Sequence, residues 1–152
     1  MQQSHDQSKI PSIQGAKIHI LQSKWYKEHT DRMAITCTSL LEKAGAVVTT
    51  SVVPGCLEFS LAAQILLKKE KLDGIICMGI LLKGETDHYD MILQSCSIGM
   101  QQVSLEYDTP LFNGILPVSK IEHAIARSSL NEFNKGIELA LAAAEFIIWR
   151  KK

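Results

Sequence analysis

No apolar run in this 152-residue sequence approaches the ~20 residues that a membrane-spanning helix needs, and the polar amino terminus has no signal-peptide core. The expectation is a cytoplasmic protein with no membrane partner. An excess of one charge is missing as well. Lys+Arg and Asp+Glu stand at 16 each, so no global field draws in nucleic acid or anionic lipid. A net charge near zero also leaves little repulsion to oppose self-association. Paired cysteines are the third absence. Cys37, Cys56, Cys77 and Cys96 include no Cys-x-x-Cys, and each lies among apolar residues on a different expected element. That spacing suits neither a zinc site nor a disulfide framework, so four buried, reduced thiols and no metal are expected.

What the chain does have is the profile of one globular domain: 46% apolar and 21% charged residues, with length enough to bury a core. Residues 1–15 are polar, contain Pro11 and Gly15, and read as a flexible tail before a single domain over 16–152. Ala16 to Leu21 alternates and is β-rich, a first strand. A helix is expected from about Lys27 to Ala44, closed by Gly45. A β-branched strand runs from Ala46 to Val53 and breaks at Pro54-Gly55. Leu57 to Lys69 reads as a helix with Leu57, Leu61, Ile65 and Leu66 facing inward. The Lys68-Lys69-Glu70-Lys71 run at its end reads as a solvated surface. Asp73 to Leu82 is a third strand and Tyr89 to Leu105 a long helix. Leu111 to Leu116 is a fourth strand, followed by helices over Lys120 to about Ser128 and Lys135 to Arg150.

Strands alternating with helices, with continuous apolar central strands, predict a parallel sheet covered on both faces. Right-handed crossovers make this a three-layer α/β/α sandwich with a central four-stranded parallel sheet. Ligands of such sheets bind outside the carboxyl ends of the strands, at the topological switch point. Three chemically unusual loops fall at that edge. They surround Trp25, the segment Val53-Pro54-Gly55-Cys56-Leu57-Glu58, and the stretch from Gly79 to Asp90.

The last of these organises the chain. An apolar strand drops through Lys83-Gly84 into a polar turn, and a helix begins that carries His88 near its start. Unpaired N–H groups and the positive end of the macrodipole make such a place favourable to anions. An imidazole beside an anion site predicts chemistry on a phosphorylated substrate. From spacing alone, His88 is more often an exposed first-turn histidine than a catalyst.

A family resemblance rests on motifs in order along the chain. They are Val53-Pro54-Gly55-Cys56-Leu57-Glu58 with Leu61-Ala62-Ala63, Asp73-Gly74 through Gly79, Lys83-Gly84-Glu85-Thr86-Asp87-His88-Tyr89-Asp90, and Val103-Ser104-Leu105-Glu106. Asn113-Gly114-Ile115-Leu116 and Ile121-Glu122-His123-Ala124-Ile125-Ala126-Arg127 complete the set. Collinear from about residue 16 to 150, they resemble the 6,7-dimethyl-8-ribityllumazine synthases, which complete the penultimate step of riboflavin biosynthesis. The resemblance implies a flavodoxin-like fold, a transferase activity and no cofactor. The reaction it implies condenses 5-amino-6-(D-ribitylamino)uracil with 3,4-dihydroxy-2-butanone 4-phosphate, releasing phosphate and water.

By the same resemblance, Trp25 stacks on the pyrimidine, although Phe is commoner there. Cys56, Leu57 and Glu58 hold the ribityl chain, and Ile80 and Leu81 contact the uracil edge. Gly84, Glu85 and Thr86 cradle the phosphate with Arg127, His88 transfers protons, and Lys135 is a further basic residue near the site. Asn113 stands where an aromatic wall is usual; Lys83, Pro117 and Tyr26 replace a usual Arg, Thr and Asn. Family sites lie between subunits of a pentameric ring, which implies a homo-oligomer, a pentamer or a multiple of pentamers.

These types suit the chemistry: an aromatic face and backbone donors for a flat ring, an arginine fork for phosphate, an imidazole for proton transfer near neutral pH. Without the resemblance, Arg127 reads as a dipole-complementing cation, Trp25 as core or stacking residue, and Glu58 as a first-turn acid. The other classes on this fold are a catalytically degenerate flavin- or lumazine-binding protein, which Asn113 keeps open, and a shell-forming protein.

Overall fold

The computed structural model describes residues 4–84 and 88–152. Four parallel strands, β1 (Lys17–Ser23), β2 (Val47–Val53), β3 (Gly74–Leu82) and β4 (Leu111–Val118), form one sheet in the order β2-β1-β3-β4. Between them run α1 (Lys27–Lys43), α2 (Phe59–Lys69) and α3 (His88–Tyr107), and after β4 come α4 (Ile121–Ser128) and α5 (Lys135–Arg150). The α/β architecture is the expected one.

The period of two along the central strands separates two cores. From β1 and β3, Ile18, Ile20, Ile76, Met78 and Ile80 point into a cluster with Met33 and Leu41 of α1 and Ile137 and Ala144 of α5. Leu21, Ile75 and Cys77 point the other way, onto Phe59 and Ala63 of α2 and Met100 and Val103 of α3. Both layers are therefore filled, and β3 is buried from Gly74 to Ile80. The four cysteines are free and buried; burial pushes the Cys56 thiol up to about 12 and raises the other three as well.

Helix α2 differs from expectation. Leu57, Leu61 and Ile65 are exposed at 55%, 61% and 45%, whereas Phe59 and Ala63 are fully buried. The segment carries two apolar stripes, and the one with the aromatic ring takes the core because it buries more surface. The expected inward face is thus an outward one, except for Leu66, which packs partly on the core. Ile35 of α1 is also exposed, at 63%.

Within the segment read as a tail, Gln7–Lys9 form a 3-10 turn and Ile13 is buried, its N–H donating to the Ala44 carbonyl at 2.8 Å. Gly45 closes α1 at φ +97°, and a Cβ there would lie 2.4 Å from Gln14 Oε1. Only glycine fits that crossing of segments.

The strand order sets the site. The chain leaves β1 toward β2 in one direction and returns to β3 on the other side. The crevice between β1 and β3, at their carboxyl ends, is the switch point.

Candidate active site

A cleft of about 390 Å³ opens at that switch point. Its walls come from the three loops singled out in the sequence: Trp25 after β1, Gly55 to Glu58 after β2, and Ile80 to Leu82 at the end of β3. Tyr26 adopts the left-handed conformation at φ 57° and turns the chain into α1, leaving the Trp25 ring 64% exposed at the cleft's mouth. The Lys24 ammonium lies 5.9 Å from the centre of that ring, at the outer limit of a cation–π contact.

Cys56, Leu57 and Glu58 form a 3-10 turn that enters α2, with Gly55 at its cap. A Cβ on Gly55 would lie 3.3 Å from Glu58 Oε2 and 3.9 Å from Trp25 Cδ1. The ring and the carboxylate therefore stand on either side of bare backbone, available to a ligand's hydroxyl groups. The raised pKa of Cys56 keeps it a thiol, a packing group and not a nucleophile. Tyr26, noted in the sequence only as replacing a usual Asn, also lines the cleft, as do Ser23 and Ile92, which the sequence reading did not assign to a site. The buried Ser23 oxygen has no hydrogen-bond partner of good geometry, only the weak contact of the neighbouring thiol.

Gly84 lies just beyond β3, where among the described residues nothing stands within 4 Å of an added Cβ, and His88 is exposed at the start of α3. Both stand at the carboxyl edge, next to the end of β3. Glu85 and Thr86, the other two members of the expected phosphate turn, lie outside the described residues.

Arg127 and Lys135 line a different cavity, of about 600 Å³, beside the carboxyl half of β4. Asn134 brings them together: its side chain accepts from Gly136 N at 2.7 Å and donates to the Ser128 and Ser129 carbonyls at 3.0 Å each. One amide thus caps α5 and ties it to the end of α4. Arg127 Nη2 then meets Glu138 Oε2 at 3.0 Å, and Lys135 Nζ meets Glu138 Oε1 at 2.9 Å. Burial raises the Glu138 pKa, but the Lys135 hydrogen bond and the charges of Lys135, Arg127 and His5 outweigh it and hold the carboxyl below its ordinary range. Two cations on one carboxylate leave a surplus positive charge, and the buried Arg127 Nε has no partner. Glu138 escaped the sequence reading; its place one turn after Lys135 was the available signal.

Asn113 lies on β4 in the described lining of neither cavity. Its amide is turned onto its own chain, donating to Ser97 Oγ at 3.3 Å and accepting from Ile115 N at 3.0 Å. The expected site residues therefore fall into two groups on one subunit, with the Trp25 cleft at β1/β3 and the paired cations beyond β4. Among the described residues no group of His, Cys, Asp and Glu could hold a metal ion.

The sequence matches the profile of the 6,7-dimethyl-8-ribityllumazine synthase family over residues 15–151. A 6,7-dimethyl-8-ribityllumazine synthase of Methylobacterium radiotolerans is 35% identical over 133 residues, covering 88% of this chain and 81% of that one. Another, of Cytophaga hutchinsonii, is 33% identical over 141 residues, covering 91% and 89% respectively. With its profile matched along residues 15–151 and two relatives more than 30% identical over most of both chains, the protein belongs to the 6,7-dimethyl-8-ribityllumazine synthase family.

Proposed function

We propose that this chain joins 5-amino-6-(D-ribitylamino)uracil to 3,4-dihydroxy-2-butanone 4-phosphate, giving 6,7-dimethyl-8-ribityllumazine, phosphate and water. The observation that carries this reading is the cleft at the β1/β3 switch point, where an exposed indole faces a bare glycine turn and the end of an apolar strand. A flat heterocycle with a polyhydroxyl chain matches those surfaces. The ring lies against Trp25, its edge meets the end of β3 at Ile80 and Leu81, and the ribityl hydroxyls meet the Cys56–Glu58 turn.

The second substrate is anionic and is assigned to the Gly84 turn and to Arg127, with Lys135 beside it. The arginine fork suits two phosphate oxygens at once. The ring's amine attacks the ketone and expels water as an imine forms. Loss of a proton from carbon then releases phosphate and leaves an enol, which tautomerises to a ketone; the second amine attacks that carbonyl and expels a second water as the ring closes. His88, at the edge between strand and helix, moves those protons. Much of the acceleration comes from holding two reactants in register.

The separation of the two cavities on one subunit supports a site shared between subunits, with the cations of one chain facing the cleft of the next. Helix α3 presents Met91, Ile98 and Leu105 to solvent at 64%, 59% and 78% exposure, spaced by seven residues, beside the exposed stripe of α2. Such a seam suits helix-to-helix contact between copies, and a pentameric ring is the assembly proposed. The proposed compartment is cytoplasmic; among the described residues no helix is long and apolar enough to cross a membrane.

A second reading, lumazine or flavin binding without turnover, draws on Asn113. Its amide is engaged with Ser97 and its own backbone and supplies no apolar wall. Incubating the purified protein with both substrates separates the readings: lumazine formation above the spontaneous rate supports catalysis, and ligand binding without product supports the alternative.

A further inference from the structure

The opposite edge of the sheet carries a cavity that the proposed reaction does not use. It measures about 650 Å³ and lies where α2 and α5 end and β3 begins. Lys68, Lys69, Lys71, Arg150 and Lys151 line it, and among the described residues none of the five makes an ion pair or side-chain hydrogen bond. Elsewhere the cations Lys27, Arg127 and Lys135 are each paired with a carboxylate at 3.0 Å or less. The concentration of unpaired positive charge in one concavity is a property of this edge.

An adjoining cavity of about 460 Å³ shares Asp108, Thr109 and Arg150 with the first. Its far wall is aromatic: Trp149, 64% exposed, lies with its ring centre 5.5 Å from Phe146, which in turn meets Phe112 edge-on at 6.4 Å. Arg150 stands between the rings and the lysines. A stacking shelf beside a cluster of cations fits a ligand that is flat at one end and multiply anionic at the other.

Opposing charges limit the strength of this site. Glu70, Asp73 and Asp108 are in the same wall, and the carbonyl ends of α2, α3 and α5 each subtract about half a charge. Asp73 is already engaged, accepting from Lys17 N at 2.8 Å. What remains is a slight positive balance, so binding rests on several separate contacts from the cations to a chain of phosphates and is weak for one phosphate alone. Asp108, in the wall common to both cavities, is placed to accept hydrogen bonds from sugar hydroxyls.

We propose that this edge binds a nucleoside polyphosphate, its base on Trp149 and Phe146 and its phosphates on Lys68, Lys69 and Arg150. The site is separate from the cleft at β1/β3 and does not depend on the reaction assigned there. The overall neutrality of the chain is compatible with it, because the cations act within a Debye length of the ligand.

Calorimetric titration of the full chain with adenosine triphosphate, inorganic tripolyphosphate and adenosine tests the proposal at low ionic strength. The triphosphate is expected to bind with a dissociation constant below about 1 mM, more tightly than either fragment. Paired charge reversals, Lys68→Glu with Lys69→Glu, weaken it about tenfold or more. Trp149→Ala weakens the nucleotide several-fold and leaves tripolyphosphate unchanged, and Lys43→Ala, exposed at the end of α1 and outside every cavity described above, changes neither. Lys68, Lys69 and Trp149 are exposed, so changes there keep the core intact, and circular dichroism confirms folding of each variant. Absence of binding at 1 mM overturns the proposal, as does binding that ignores the lysine reversals or is lost in Lys43→Ala. A single-stranded oligonucleotide bound far more tightly than the mononucleotide overturns it in favour of a nucleic-acid surface.

Discussion

Arg127 donates to one oxygen of Glu138 at 3.0 Å, and the other oxygen of that carboxylate holds Lys135 at 2.9 Å. Two flexible cations are thereby fixed side by side before any anion arrives. The arrangement leaves one positive charge uncompensated, and in the phosphate role proposed for Arg127 it would lower the ordering cost of binding.

The first prediction concerns Arg127. Arg127→Ala removes the fork and is expected to raise KM for the phosphorylated substrate about 10- to 100-fold, on the order of 1.5–3 kcal/mol for a charged hydrogen-bonding group. KM for the pyrimidine changes much less. Steady-state kinetics with each substrate varied in turn checks this, and equal effects on both remove Arg127 from the phosphate role.

Glu138 gives a pH-dependent prediction. Its carboxyl titrates below its ordinary range in the folded protein, so its stabilising contribution is present above the unfolded pKa. That contribution is lost as pH falls through the depressed folded value. Glu138→Gln is therefore less stable than the parent at neutral pH, and the difference closes on acidification. The carboxylate is more than a third exposed, and screening holds the difference to under about 1 kcal/mol. Denaturant titrations at pH 7 and at pH 3 measure it; a gap that widens in acid contradicts the sign.

Gly79 constrains the floor of the cleft. A Cβ there would lie 2.5 Å from Cys56 Sγ, closer than real contacts allow, and a tight 3.0 Å from Ser23 Oγ. Gly79→Ala must displace the Cys56 turn, at a cost of about 1–3 kcal/mol for overpacking. Loss of thermal stability together with weaker pyrimidine binding is the expected result. A variant with unaltered stability and affinity shows that the turn yields freely.

The seven-residue stripe on α3 bears on assembly. Ile98→Lys places a charge in the proposed seam and is expected to lower the mass seen by light scattering to that of a single chain. The fold remains, because Ile98 is 59% exposed in the subunit. An unchanged mass places the contact elsewhere.

The alternation of β1 and the unbroken apolar run of β3 carry their structure locally, since a buried parallel strand has no alternative pattern at that length. The loops at the sheet's carboxyl edge followed from topology, which is why Trp25, Cys56 and Ile80 could be brought together from sequence. Two features were not legible. Helix α2 offers two apolar stripes, and only packing against the sheet decides that Phe59 and not Leu61 turns inward. Glu138 is an ordinary helical acid until α4 is docked and places Arg127 beside it. The separation of Arg127 from the Trp25 cleft is a tertiary fact of the same kind, because nothing local records which side of β4 a later helix will occupy.

The central claim is that this chain makes the lumazine. The most direct measurement follows the absorbance of 6,7-dimethyl-8-ribityllumazine when the purified protein is given both substrates, against the same mixture without protein. The expected result is formation well above the spontaneous rate, slowed about tenfold or more by His88→Ala. A rate equal to that of the protein-free mixture contradicts the account.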